Sequence, residues 1–172
     1  LKVEGIEIYH AKVRVTMSPL LDFPSVLQKN VARRVQAMSK DPAREGVVLV
    51  AYGSGEFDDE WTDLLKQIAQ QVRQDTPIDC VERCWCGHIV HYQSGPTEKT
   101  IRSVLEKKQT ALVVPVLVAV DEMFQEKIIG GAVKNVAQDD RIVYRHDAIL
   151  PDDNVNRWVI EITHDLASKI AQ

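Results

Sequence analysis

The sequence predicts an α/β protein, a doubly wound parallel sheet with helices on both faces. Three observations point there. Strand-like apolar runs alternate with helix-period segments from one end of the chain to the other. The runs are continuously apolar, as expected of strands covered on both faces. Helices open on Pro, Asp or Gly-rich turns directly after the runs.

A first strand is read around Lys12–Thr16, followed by a helix that begins at Asp22-Phe23-Pro24. Asp supplies an N-cap there and Pro suits the first turn. Leu27, Val31, Val35 and Met38 carry the apolar face. The second strand is Val47–Ala51, ending in the turn Tyr52-Gly53-Ser54-Gly55. Its glycines allow a sharp bend and let a ligand approach the backbone. From Trp61 the apolar positions fall at Leu64, Leu65, Ile68 and Val72, a helix face.

The third strand, Ile78–Trp85, leads through a polar loop to a helix near Pro96-Thr97-Glu98, packing through Ile101, Val104 and Leu105. The fourth, Ala111–Val118, is the most apolar stretch of the chain and runs into Asp121-Glu122 and a helix through Phe124, Ile128 and Val133. The fifth, Arg141–Arg145, precedes a helix with Val155, Trp158, Val159, Ile162, Leu166 and Ile170 on one face. Open sheets of this kind hold ligands in a crevice at the carboxyl ends of their strands. Tyr52 and Ser54 belong to that edge.

Composition narrows the function classes. With 172 residues, 45% apolar and 27% charged, the chain is expected to be a soluble protein with one real core. A net charge of −4, with Lys and Arg scattered, gives no footprint for nucleic acid. No apolar run approaches the ~18 residues of a membrane span and no leader opens the sequence, so no membrane role is expected. Three cysteines, Cys80, Cys84 and Cys86, make no secreted disulfide framework, which favours the cytoplasm. The chain opens at Leu1 rather than Met, so a processed chain or a fragment is expected.

One internal similarity bears on domain organisation. "VRVTMSPLLDFPSVLQKNV" (Val13–Val31) lines up with "IVYRHDAILPDDNVNRWVI" (Ile142–Ile160), each a strand, a loop with Pro and Asp, and a helix. Either shared local physics explains this, or residues 1–44 are the tail of a preceding module and 45–172 form a complete one.

Together, "VVLVAYGSGEFDDEW" and "PTEKTIRSVLEKKQTALVVPVLVAVDEMFQEKI", with "LPDDNVNRWV" near the end, resemble the chelatase superfamily of ferrochelatases and sirohydrochlorin cobalt- or ferrochelatases. The resemblance covers roughly residues 13–170 and rests on several weak motifs in the right order. It implies a flavodoxin-like, chelatase-like module and a lyase that inserts cobalt or iron into sirohydrochlorin or a related macrocycle. The metal would be a substrate rather than a permanently bound cofactor. A cleft between two α/β halves is implied too, so a second chelatase-like half or a homodimer is the expected partner. Small members of the family carry histidines at two positions that here read Tyr52 and Glu122, with Met123 as the other candidate. Tyrosine in the first turn instead resembles the protoporphyrin ferrochelatases, where that turn faces the macrocycle. Tyr52, Gly53 and Ser54 are thereby implied to bind substrate.

Metal insertion requires two pyrrole protons to leave while an incompletely coordinated cation is delivered, so a base and ligands must face the ring. Imidazole and carboxylate suit iron and cobalt. Glu122 and Tyr52 are the candidate catalytic residues, and His88, His91 and Glu122 the candidate metal ligands. The segment "CVERCWCGHIVHY" is the densest concentration of ligand types in the chain.

Each candidate also has a plainer reading. The cysteines, at even spacing on one strand face, serve as small apolar residues, and no C-x-x-C supports a zinc or iron–sulfur site. His88 and His91 are exposed loop residues, Glu122 starts a helix, and Tyr52 is a packed aromatic. His10, His146 and His164 are read as structural. The alternative function is a non-catalytic half that shapes the cleft with a partner module. A cofactor-binding module at Gly53–Gly55 is weaker, because no G-x-G-x-x-G or P-loop lysine follows.

Overall fold

A parallel sheet with order β2-β1-β3-β4 organises the chain. The computed structural model describes residues 15–19, 23–136 and 139–170. Its strands are β1 (Glu45–Ala51), β2 (Cys80–Trp85), β3 (Thr110–Val116) and β4 (Ile142–Tyr144). β1 pairs in parallel with both β2 and β3, and β3 pairs in parallel with β4. The helices are α1 (Phe23–Met38), α2 (Asp58–Asp75), α3 (Gly95–Lys107), α4 (Gly130–Val136) and α5 (Asp153–Ile170). A π-helical segment, Met123–Ile129, runs directly into α4.

The continuous apolar runs give a sheet buried on both sides. Val47, Leu49, Ala51, Leu112, Val114 and Val116 point into a core with Leu27, Val31 and Val35 of α1 and Leu65, Ile68 and Val72 of α2. The alternate residues Val48, Val50, Ala111 and Val113 pack with Ile101 and Val104 of α3 and with Ile128, Ile129 and Val136. This is the period-2 alternation of a strand read out on two covered faces. Each fully buried Leu, Ile or Val contributes roughly 1.5–3 kcal/mol. Val81 follows the first core and Cys84 the second, with Cys80 packed against the latter.

The elements expected from sequence are present with three differences, the first being that the helix through Phe124, Ile128 and Val133 is π-helical over Met123–Ile129 before α4. Of the first strand, residues 12–14 lie outside the described residues, as does Asp22, while Val15 and Thr16 join no strand and Val15 is 70% exposed. The described sheet therefore has four strands rather than five. The last helix forms over Asp153–Ile170, yet none of its residues is buried, and Val159 and Ile170 are each about half exposed. Its amphipathic face finds no layer to cover it among the described residues.

Asp152 fixes the start of α5. Its carboxylate accepts from the backbone N–H of Asn154 at 2.8 Å and of Val155 at 3.3 Å, an N-cap, and also from Asn30 at 2.8 Å and Arg33 at 2.5 Å. Burial alone would raise its pKa. The Asn30 and backbone hydrogen bonds and the Arg33 charge outweigh that and hold it below the usual value. Asp152→Ala is expected to cost about 1–2 kcal/mol, the upper range for a lost cap. Because the folded pKa is depressed, the contribution is complete above the unfolded reference of about 4 and is lost as pH falls through the folded value. Denaturant melts should show the variant and the parent converging on acidification. Equal stability at neutral pH would exclude this role.

Candidate functional site

The order β2-β1-β3 means the chain leaves β1 to one side and returns on the other. The gap beyond the carboxyl ends of β1 and β3 is thus the switch point where open α/β sheets bind ligands. A cavity of about 600 Å³ opens there. Tyr52 after β1, Val116 at the end of β3 with Leu117, Val118 and Ala119 after it, Trp61 and Leu64 of α2, Phe124 and the segment Ile149–Leu150 line it. Its walls are almost wholly apolar, the character of a pocket for an organic ligand.

Aromatic side chains gather on one rim. The Tyr52 ring meets His88, Tyr92 and Phe124 edge-on at centroid distances of 5.4, 6.5 and 5.5 Å. Tyr92 and Phe124 lie 6.2 Å apart. The Tyr52 hydroxyl is 3.2 Å from His88 Nδ1 and 3.2 Å from the Tyr92 hydroxyl. The Tyr92 hydrogen bond is the first cause, and burial the second, that raise the Tyr52 pKa above its usual value of 10. Tyr52 therefore keeps its proton at neutral pH, and its hydroxyl shares with that of Tyr92 a hydrogen bond in which either can donate. In the tautomer that carries the His88 proton on Nδ1, Nδ1–H donates to the Tyr52 oxygen and Nε2 keeps a free lone pair. This is the arrangement in which a second nitrogen ligates a metal or takes a proton.

Backbone geometry holds this cluster. Gly53 has φ +74°, and a Cβ there would stand 2.9 Å from both Ile89 and Trp85. At Gly87 a Cβ would stand 2.4 Å from the Tyr52 carbonyl oxygen and 2.8 Å from its ring. Gly87 N–H donates to that same carbonyl at 2.9 Å, so the ends of β1 and β2 touch through a residue without a side chain. His91 and Tyr92 both have positive φ, 53° and 55°, an unusual pairing for non-glycine residues. That turn swings Tyr92 back onto Tyr52.

The other wall is set by Gln125, which is fully buried. Its amide donates to the Ala119 and Asp147 carbonyls at 3.3 Å each and accepts from Asp121 N–H at 2.9 Å. Asp121 caps the π-helical segment by accepting from the N–H of Met123 and Phe124. Phe124 is thereby presented to Tyr52.

The sequence candidates separate in space. His88 joins Tyr52 directly, although it does not itself line the cavity. Gly53 and Ser54 form the turn beneath it, buried and half-buried. His91 is exposed, and its ring has no hydrogen bond, ion pair or ring contact among the described residues. Glu122 is also exposed, paired with Lys127 at 3.3 Å, and does not line the cavity, although Asp121 beside it does. Helix capping in that segment falls to Asp121 rather than Glu122. Among the described residues no three His, Cys, Asp or Glu side chains form a preorganised metal cluster. Burial pushes the Cys84 thiol up to about 11 and the Cys86 thiol up to about 12, so both stay protonated and act as core residues. His10 lies outside the described residues. His146 packs on Tyr144 and His164 is exposed on α5.

Tyr92, Phe124, Trp61 and Gln125 were not singled out from sequence as site residues. The only available signal was aromatic residues placed just beyond strand ends.

No family model matches the chain, and no curated protein does. Among solved structures the chain is similar to the sirohydrochlorin chelatase SirB from Bacillus subtilis subspecies spizizenii in complex with cobalt, at TM-score 0.48 and 19% identity. The alignment covers 74% of this chain and 44% of that one, so the chain spans less than half of that structure's length.

Proposed function

We propose that this chain is a chelatase-like enzyme that inserts cobalt or iron into a tetrapyrrole lying in the cavity at the β1–β3 switch point. The carrying observation is an almost wholly apolar cavity of about 600 Å³ lined by Tyr52, whose hydroxyl meets His88 and Tyr92 just outside the lining. A macrocycle presents a flat apolar face and a polar centre, which is what such a wall and rim can receive. The motifs that resemble the chelatase superfamily converge on the same edge of the sheet.

In this reading each insertion releases two protons as the divalent cation enters the ring. His88 Nε2 accepts the two pyrrole protons in turn, passing the first to solvent before taking the second, as its exposure allows. The base role suggested from sequence for Glu122 thus passes to His88. Glu122 and His91 supply carboxylate and imidazole on the cation's approach, where weak and incomplete ligation suits an ion that must leave again. Tyr52, Gly53 and Ser54 bind the macrocycle's edge.

The reading retains a partner half, a second copy or another chelatase-like module, over the open side of the cavity. A cytoplasmic setting belongs to it as well and accords with three free cysteines. Among the described residues no helix is long and apolar enough to cross a membrane.

The assay is the absorbance change of sirohydrochlorin on adding cobalt or ferrous iron, corrected for spontaneous insertion. Tyr52→Phe removes one neutral hydrogen bond each to His88 and Tyr92, so a roughly 2- to 10-fold fall in kcat/KM is expected, part of it in kcat because one of the lost bonds orients His88. A chain that binds the macrocycle but gives no rate above background would instead favour the non-catalytic half.

A further inference from the structure

A second concavity adjoins the apolar cavity and has the opposite character. Arg33, Arg34, Arg145 and Arg157 line it, and it shares Ile149 and Leu150 with the apolar cavity. Four guanidinium groups in one groove stand out in a chain of net charge −4.

The pairing of these arginines decides what the groove can bind. Arg34 is committed: it pairs with Asp147 and donates to the Pro115 carbonyl at 2.7 Å. Its Nε, buried in the groove wall, has no acceptor, which is rare for a buried donor. Arg33 spends one nitrogen on Asp152 and is otherwise half exposed. Arg145 donates only to the Ala37 carbonyl at 3.1 Å, and Arg157 has no partner among the described residues. Both are exposed and neither meets a carboxylate among the described residues. Asp153 is the one carboxylate of the groove not already held by an arginine. The groove is left with unspent guanidinium donors.

Its position supplies the ligand class. Ile149 N–H bonds the Leu117 carbonyl and Leu150 N–H bonds the Val118 carbonyl, so these residues form a low ridge between the two concavities. A flat ligand seated in the apolar cavity with one edge over the ridge carries its substituents into the groove. We propose that the groove is a carboxylate-binding subsite for the rim of that ligand, with Arg145 and Arg157 as the principal donors. Guanidinium forks match carboxylates in geometry as well as charge. The inference rests on the macrocycle reading of the apolar cavity and deepens it, because it selects macrocycles with several acidic side chains.

The test uses the full chain and two porphyrins, followed by quenching of tryptophan fluorescence. Uroporphyrin carries acetate and propionate groups around its rim; coproporphyrin has methyl groups in place of the acetates. Wild type should bind uroporphyrin more tightly, and added salt should narrow the difference. The single variants Arg145→Gln and Arg157→Gln should each weaken uroporphyrin about 3- to 10-fold, and the double variant should remove most of the preference. Arg145→Lys should retain part of the effect. Both side chains are exposed, so thermal melts should be unchanged. A double variant that binds uroporphyrin like wild type overturns the subsite while leaving the macrocycle reading intact. Failure of wild type to bind either porphyrin overturns both.

Discussion

His88→Ala should lower the rate of metal insertion by about 10²–10⁴-fold, the range for loss of a general base, with the fold unchanged. The side chain is exposed, so its removal opens no cavity. What is lost is the imidazole whose Nδ1 meets the Tyr52 hydroxyl, and with it the Nε2 lone pair of the Nδ1–H tautomer. His88→Gln offers a side chain of similar reach that cannot take up a proton, and should be nearly as impaired. Glu122→Gln removes a charge that is exposed and already paired with Lys127. Solvent and salt weaken such a charge, so a change of less than about 5-fold is expected. If Glu122→Gln proves crippling and His88→Ala mild, the roles are reversed and the base is the carboxylate. Steady-state rates of cobalt uptake decide between these outcomes.

Gly87→Ala should be the most damaging single methyl group that can be added at the site. Its Cβ would lie 2.4 Å from the Tyr52 carbonyl oxygen and 2.8 Å from the ring, so neither neighbour is a flexible chain end that can step aside. The ends of β1 and β2 must part, and the hydrogen bond from Gly87 N–H to Tyr52 goes with them. Overpacking of this kind costs about 1–3 kcal/mol. For a chain of this size that corresponds to a fall of roughly 2–10 °C in Tm. Activity should fall further than stability, because Tyr52 carries both His88 and Tyr92. Gly95 provides the control, since a Cβ there meets nothing within 4 Å and Gly95→Ala should leave activity and Tm within error. A Gly87→Ala protein with wild-type turnover would remove the Tyr52–His88 contact from the mechanism.

How much of this could be read from sequence depends on how local the cause is. Val47–Ala51 and the run from Ala111 are legible as buried strands because no polar residue interrupts them, and both faces of each are indeed covered. The faces of α1, α2 and α3 follow from 3.6-residue spacing alone. Tyr52's place in the cavity wall is legible because it directly follows the carboxyl end of a strand, where open α/β sheets have their crevice.

Phe124 is not legible. Its spacing to Ile128 reads as helix core, whereas the π-helical turn over Met123–Ile129 adds a residue to the repeat and accompanies its contact with Tyr52. Tyr92 is hidden for another reason, since its approach depends on two consecutive positive φ angles at residues that do not advertise them. The uncovered face of α5 is likewise invisible, because an amphipathic pattern records that a face is apolar and not what lies against it.

The central claim is that the cavity beyond β1 and β3 holds a tetrapyrrole with His88 at its edge, beside Tyr52. A crystal structure of the intact chain with sirohydrochlorin tests it most directly. The account predicts the ring plane against Leu117, Val118 and Phe124, with a pyrrole nitrogen facing His88 Nε2 and acidic side chains crossing Ile149 and Leu150 toward Arg145. A macrocycle bound on any other face of the sheet, or no bound macrocycle at saturating concentration, would contradict it.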